Sequence, residues 1–270
     1  MKERQAMGSK FRRRPSCGMV PAVNDVLSHG NPPVLPARAR RRLLACVLPA
    51  LVLPFAASLL YFVVLGESPL ARAAYGATKV FTIVWPLVAV YLIEKRPRAT
   101  SRPKRSAWSA LPLGLLTGLA IGGVIVLAYR VPALNAYARG FAGDIRGKLS
   151  DLGVHTRSGY LAFCAFLAIA HSLIEEYYWR WYAFGSLARV WPLGVSIAVA
   201  SLAFAGHHYV VLGCYFNLVG ALVFGTFVGV GGALWCWMFH RQGTLAGAWL
   251  SHALVDAAIF VVGYDILFSV

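Results

Sequence analysis

Seven apolar runs constrain the fold of this chain more than any other feature of its sequence. A transmembrane helix needs about 20 mostly apolar residues. Backbone groups in lipid must be hydrogen-bonded within the protein, which leaves helices or closed barrels. Barrel strands would give alternating segments of about ten residues, which are absent. The sequence therefore predicts an all-α fold, a polytopic transmembrane bundle of about seven to eight helices, from the runs Leu43–Leu65, Thr78–Ile93, Leu111–Tyr129, Tyr160–Ile174, Pro192–Leu212, Asn217–Phe239 and Thr244–Gly263.

Composition supports this fold class. The 270 residues are 59% hydrophobic and 13% charged, whereas soluble domains average about 45–50% apolar and about 25% charged residues. The five cysteines show no CxxC spacing, and most of them fall in the apolar runs. We interpret them as packing residues rather than as metal ligands or disulfide partners.

The positive charge is concentrated beside the predicted spans. Of the 26 Lys and Arg residues, ten lie in residues 1–42 and six lie in Lys95–Arg105. Basic segments next to a span indicate the cytoplasmic side and attract anionic lipid. We expect a multi-pass protein of the cell membrane with a cytoplasmic N-terminus and with anionic lipid at both segments. Since no recognition motif accompanies the charge, we expect no nucleic-acid partner.

Three regions follow from these patterns. Residues 1–42 are rich in Arg, Pro and Gly without periodicity, and we expect a disordered cytoplasmic tail. Residues 43–158 form an N-terminal transmembrane region that ends in an amphipathic interfacial stretch, Arg130–Arg157. Residues 159–270 form a transmembrane core that contains nearly all the unusual polar residues.

Ionisable residues cluster in that core. Each costs about 2.5–3.5 kcal/mol at the centre of a membrane helix on insertion scales, so their presence favours a functional explanation. They are His171, Glu175, Glu176, His207, His208, His252, Asp256 and Asp265.

The densest group lies on one predicted helix. Glu176 and Arg180 are four residues apart and share a helix face, so they can form an ion pair. Glu175, about 100° around the helix, has no such partner. It is a candidate general base. The alternative is a purely structural ion pair in which the second glutamate assists.

Two further histidine groups lie on later spans. Phe204 and His208 share a helix face, whereas His207 should be turned away, and we interpret His207 as a packing residue. Asp256, four residues after His252, can orient its ring. That pair is either structural or a source of oxyanion stabilisation. Residue counts along the spans place Glu175, His208 and His252 at similar depths.

These motifs resemble those of the CPBP family, the group of CAAX proteases and bacteriocin-processing (Abi) proteins. Glu175-Glu176-Tyr-Tyr-Trp-Arg180 matches EExxxR, Phe204 with His208 matches FxxxH, and His252 with Asp256 matches HxxxN or HxxxD. The three motifs occur in the family's order on successive apolar segments. Trp181 stands where the family often has Gly, and Asp256 stands in place of Asn.

The resemblance implies an intramembrane glutamic endopeptidase. It implies that Glu175 is the general base with His208 as its partner, and that His252 and Asp256 form the oxyanion side. Glu176, Arg180 and Phe204 would support the site.

The residues themselves indicate the same class of reaction. No Ser or Cys with a neighbouring base stands out as a nucleophile, and HExxH and P-loop motifs are absent. Water would therefore attack a peptide bond in or near the membrane segment or C-terminal region of the substrate, a membrane protein or lipid-anchored peptide. We expect no cofactor and no metal.

Three alternatives remain open. A zinc protease could use His171, Glu175, His208 and His252 as ligands. A non-catalytic scaffold or immunity protein could keep the fold without hydrolysis. Transport is weaker, because paired broken helices are missing.

Overall fold

The computed structural model describes residues 35–66, 68–96 and 106–269. This part of the chain is all-α, and seven of its helices are long and apolar enough to cross a membrane. The prediction of a polytopic helix bundle is confirmed. The seven spans, with two short helices between the third and fourth, are α1 (Ala37–Val64), α2 (Pro69–Ile93), α3 (Ala107–Tyr129), α4 (Pro132–Arg139), α5 (Ala142–Asp151), α6 (Arg157–Leu187), α7 (Leu193–Gly213), α8 (Leu218–Gln242) and α9 (Ala246–Phe268).

Helix α1 begins before the first apolar run. It starts at Ala37, so the last six residues of the expected tail, 37–42, are helical. Arginine is a good helix former, and basic residues commonly flank the cytoplasmic end of a span, so the helix continues into them. The rest of the expected tail, residues 1–34, lies outside the described residues.

Tyrosines of α6 hold α1 against the centre of the bundle. Pro54 has no N–H, so the carbonyl of Ala50 loses its partner within the helix. The Tyr178 hydroxyl donates a hydrogen bond to this carbonyl at 2.7 Å. The Tyr182 hydroxyl donates to the Cys46 carbonyl at 2.9 Å. Helix α6 is therefore fixed against α1 by polar contacts in an otherwise apolar core.

Glycines bring α3 and α9 together. Gly114, Gly118 and Gly122 are buried on one face of α3. A Cβ atom on Gly118 would lie 2.8 Å from the Cβ of Leu254. Only a residue without a side chain allows this approach, as in other small-xxx-small helix pairs in membranes. This contact fixes the position of α9, which contains the third histidine motif.

The two short helices cover the end of α9. Arg139 of α4 forms an ion pair of 2.7 Å with Asp265, and Arg146 of α5 donates to the carbonyl of Leu267 at 3.0 Å. Cations are favourable at a helix C-terminus. Asp265, one of the acidic residues noted in the sequence, thus binds a basic residue of the Arg130–Arg157 stretch, away from the other polar groups of the core.

A buried charge cluster lies at the C-terminal end of α6. Arg96 contacts Glu94 through two hydrogen bonds of 2.6 and 2.9 Å and donates a third to Ser186 at 2.8 Å. Arg189 lies 3.9 Å from Glu94. All four residues are buried. This cluster connects the segment after α2 to the last turn of α6 and to the residues that follow it.

Candidate functional site

The helix that contains both glutamates is irregular on either side of them. In α6, π-helical turns at Leu167–His171 and Tyr177–Phe184 flank one α-helical stretch, Ser172–Glu176. Such turns are frequent at functional sites. At about 1.5 Å per residue, Glu175 lies about 27 Å from the start of α6 and about 18 Å from its end. The glutamates are therefore deep within the span.

Three imidazoles surround the carboxylate of Glu175. Its Oε1 atom lies 3.4 Å from Nε2 of His171 and 3.6 Å from Nε2 of His207. Its Oε2 atom lies 3.7 Å from Nε2 of His252. Direct N–H···O hydrogen bonds measure about 2.7–3.2 Å, so each of these contacts is long. The carboxylate is surrounded by nitrogen atoms without being bound closely by any of them.

Glu176 is held much more tightly. Its Oε1 atom accepts a hydrogen bond from Nδ1 of His252 at 2.8 Å and lies 3.0 Å from Nη1 of Arg180. The Arg180 guanidinium lies over the rings of Phe204 and Trp235, with its central carbon 4.4 and 5.0 Å from the two ring centres. These cation–π contacts stabilise the buried cation. The structure thus contains the ion pair that the spacing of Glu176 and Arg180 indicates.

His252 connects the two glutamates. Nδ1 faces Glu176, while Nε2 lies 3.7 Å from both Glu175 and Asp256. Its ring stacks on Trp235 at 4.0 Å with an angle of 16° between the planes. The contact between Asp256 and His252 that the spacing indicates is present at 3.7 Å, but it is not the closest one. Glu176 makes the close hydrogen bond, because the packing of α6 against α9 brings it to Nδ1.

His207 also lies at the site. Its ring stacks on Trp179 at 5.5 Å, nearly parallel, and its Nε2 faces Glu175. The expectation that His207 turns away is wrong, because α7 packs against α6 so that Glu175 lies near both His207 and His208. The ring centres of His207 and His208 are only 4.0 Å apart. Nδ1 of His208 lies 2.9 Å from the Phe204 carbonyl.

The structure therefore brings the three motifs together around one carboxylate. Sequence patterns missed several of its partners. The sequence indicates His171 as a possible metal ligand, and its four-residue spacing from Glu175 also predicts the observed contact. The sequence does not indicate that Trp179 and Trp235 belong to the site. Their stacking on His207 and His252 depends on contacts between helices that are far apart in the sequence.

A small cavity opens beside Glu175, between the first two spans and α6 and α7. Its lining includes one side chain that sequence analysis passed over, Lys79 of α2. The signal was present, since Lys79 is the single charged residue in the run Thr78–Ile93. The full lining is Pro54, Tyr61, Thr78, Lys79, Thr82, His171, Ile174, Glu175, Tyr178, Trp179 and His207.

Some of these residues could also hold a metal ion. Ligand atoms of Glu175, His207 and His208 lie within 4.8 Å of one another. Two imidazoles and a carboxylate are a common zinc ligand set with an open fourth position. The same donors are equally suited to hold and activate a water molecule without a metal.

The C-terminal part of the chain was also compared with known proteins. Residues 157–258 match the family model described as type II CAAX prenyl endopeptidase Rce1-like. No curated protein and no solved structure matched the chain. The matched segment runs from the start of α6 into α9 and includes all three motifs. The resemblance drawn from those motifs is confirmed by this match, which covers about two fifths of the chain, and the matched segment is similar to the Rce1-like CAAX proteases.

Proposed function

We propose that this protein is an intramembrane endopeptidase of the glutamate type, in which Glu175 and His208 activate a water molecule. The observation that supports this most directly is the environment of Glu175. Its carboxylate borders a cavity, and imidazole nitrogens lie at 3.4–3.7 Å from it. A water molecule placed among these groups has acceptors for its protons on more than one side.

Glu175 and His208 would share the proton-transfer step. The Phe204 carbonyl can only accept a hydrogen bond, so Nδ1 of His208 donates to it. In the neutral ring, Nε2 is then an acceptor. Glu175 takes a proton from water while His208 orients the water, and the oxygen attacks the carbonyl carbon of the scissile peptide bond.

His252 would stabilise the resulting oxyanion. An ionised Glu176 is an acceptor, which fixes the Nδ1 proton of His252. Glu175 and Asp256 also attract a proton to Nε2, and an Nε2–H group can donate to the oxyanion. When the tetrahedral intermediate collapses, the carbon–nitrogen bond breaks and Glu175 returns its proton to the leaving amine. Glu176 and Arg180 position His252 without touching the substrate.

The family match supports a membrane-associated protein as substrate. We assign the cut to a peptide bond in or near the membrane segment or C-terminal region of a membrane protein or lipid-anchored peptide. The basic segments support a location in the cell membrane with the N-terminus in the cytoplasm, where their charge would attract anionic lipid. Residues 159–270 act as the catalytic core, and residues 43–158 complete the bundle around it.

The test compares the two adjacent glutamates. Glu175→Gln keeps the size of the side chain but removes the proton acceptor, so cleavage of a reporter substrate should fall by about 10²–10⁴-fold without loss of fold. Glu176→Gln should lower the thermal unfolding temperature and keep partial activity in the folded fraction. Both variants are measured as purified, monodisperse protein. Normal cleavage by both variants would refute glutamate catalysis.

A metal-dependent protease is the second candidate, supported by the grouping of Glu175, His207 and His208. It is distinguished by treating the purified enzyme with a strong chelator and measuring both residual activity and metal content. Full activity in metal-free protein supports the glutamate mechanism. Activity that is lost on chelation and restored by zinc supports the metal mechanism.

A further inference from the structure

The close hydrogen bond to Glu176 fixes one atom of His252 but not the plane of its ring. Nδ1 lies 2.8 Å from Glu176, whereas Nε2 lies 3.7 Å from both Glu175 and Asp256. Rotation about χ2 of histidine is broad, so the ring can turn about the line from Nδ1 to Glu176. Such a turn would change the direction of Nε2. A donor to an oxyanion has to point in the right direction before the reaction begins.

Trp235 of α8 provides a flat surface against this ring. It lies outside the three motifs, and only 4% of it is exposed. Its indole ring stacks on His252 with 4.0 Å between the ring centres and 16° between the planes. Because the site is closely packed, tilting the imidazole would press one edge into the indole and lose contacts at the other. The stacked indole therefore restricts the plane of the imidazole.

The indole is itself held in place by a hydroxyl group on α9. Nε1 of Trp235 donates a hydrogen bond to Oγ of Ser251 at 3.1 Å, as a buried indole N–H generally requires an acceptor. Ser251 directly precedes His252 and is fully buried. Its Oγ atom also lies 3.0 Å from Oγ1 of Thr117 on α3. A Cβ atom on Gly118 would lie 3.1 Å from the Cα of Ser251, so the glycine allows this close approach.

We propose that Trp235, held by Ser251, is a positioning residue that sets the plane of the His252 ring and so directs Nε2 towards the oxyanion. This inference rests on the proposed function, because it concerns the orientation of the oxyanion donor in the same site. Trp235 acts through His252 and touches neither the substrate nor the attacking water. Its contact with Arg180 contributes to stability instead.

The experiment measures kcat and KM separately for a reporter peptide, with purified variants in detergent and with rates normalised to folded protein. Trp235→Leu removes the flat surface. Its kcat should fall by about 100-fold, the effect of a small misplacement of a catalytic group, while KM stays unchanged. Trp235→Phe keeps an aromatic ring that can stack on His252 and contact Arg180. Its kcat should stay within about tenfold of wild type, the effect of one neutral hydrogen bond.

Three further variants complete the test. Trp237→Leu removes an indole from the same helix at a position that is 40% exposed, and it should keep the wild-type kcat. Ser251→Ala removes the acceptor of the Trp235 N–H, and its kcat should fall by about 2–10-fold at unchanged KM. If Trp235→Leu does not fold, Trp235→Met takes its place, because methionine is flexible enough to fill the space without a flat ring. If neither folds, Ser251→Ala decides.

Three results would overturn the proposal. A wild-type kcat in Trp235→Leu or in the variant that replaces it would assign the indole to stability alone. A raised KM with an unchanged kcat would assign it to substrate binding. Equal losses in Trp235→Phe and Trp235→Leu would show that the flat ring is not what matters. The glutamate mechanism is tested separately, because it fails if Glu175→Gln cleaves normally, whatever the Trp235 variants do.

Discussion

Two buried charge clusters lie along α6, and they are built differently. Around Glu94, the carboxylate contacts Arg96 at 2.6 and 2.9 Å, and Arg96 also binds Ser186 at 2.8 Å. Around Glu175, the nearest nitrogen atoms lie at 3.4–3.7 Å. In the first cluster both carboxylate oxygens accept a direct hydrogen bond from Arg96, while the carboxylate of the second has capacity for a molecule in the cavity.

The same difference separates two neighbours in the chain. Glu176 is completely buried and is held at 2.8 Å by His252 and at 3.0 Å by Arg180. Glu175 borders the cavity. Buried ion pairs add little net stability, but removing one partner is costly. We therefore expect that changes at Glu94 or Glu176, the tightly bound carboxylates, lower the stability. A change at Glu175, the loosely bound carboxylate, should lower the activity without lowering the stability.

The largest expected effect on stability comes from the Glu94 cluster. Glu94→Ala leaves Arg96 without its carboxylate in a buried setting, and the free energy of unfolding should fall by about 3–5 kcal/mol. The catalytic rate per folded molecule should stay unchanged. Denaturation in detergent and cleavage normalised to folded protein measure the two quantities.

Arg180→Ala is the matched comparison for Glu94→Ala. It should destabilise the protein by a similar amount, because it leaves Glu176 buried without its cation. It should also slow cleavage, because Glu176 orients His252. A fully stable Glu94→Ala protein with reduced cleavage would contradict the division between a structural and a catalytic cluster.

The next effect concerns His207, for which sequence and structure disagree. His207→Ala removes an imidazole at 3.6 Å from Glu175, and kcat should fall by about 10–100-fold, the effect of one hydrogen bond from this imidazole to a water molecule held by Glu175. His207→Phe keeps an aromatic ring over Trp179 but removes the nitrogen, so it should be as slow as the alanine variant. His207→Phe with wild-type activity would assign His207 to packing, as the helix spacing indicated.

His207 also shows which parts of the site a sequence can predict. The seven spans follow from hydropathy, which is a local property of the chain. The pairing of Glu176 with Arg180 follows from helix geometry within one segment. The bond between Glu176 and His252 joins residues 76 positions apart, and the position of Lys79 beside Glu175 depends on how α2 packs. Local periodicity contains no information on either contact.

The smallest effect is expected at Asp256. Its carboxylate lies 3.7 Å from Nε2 of His252, whereas Glu176 makes the 2.8 Å hydrogen bond that orients the ring. Asp256→Asn keeps the size of the side chain and restores the residue that the third motif also accepts. Its kcat should therefore stay within about tenfold of wild type, since only this 3.7 Å contact is weakened and the close hydrogen bond of His252 is kept.

The control for Asp256→Asn is Glu176→Gln, measured on the same peptide and normalised to folded protein. Glu176→Gln weakens both the bond to His252 and the ion pair with Arg180, so it should lose more activity and more stability than Asp256→Asn. The reverse order would show that Asp256, and not Glu176, sets the orientation and protonation of His252. Glu176 would then belong with Glu94 as a purely structural carboxylate, and the contrast between the two clusters of α6 would rest on Glu175 alone.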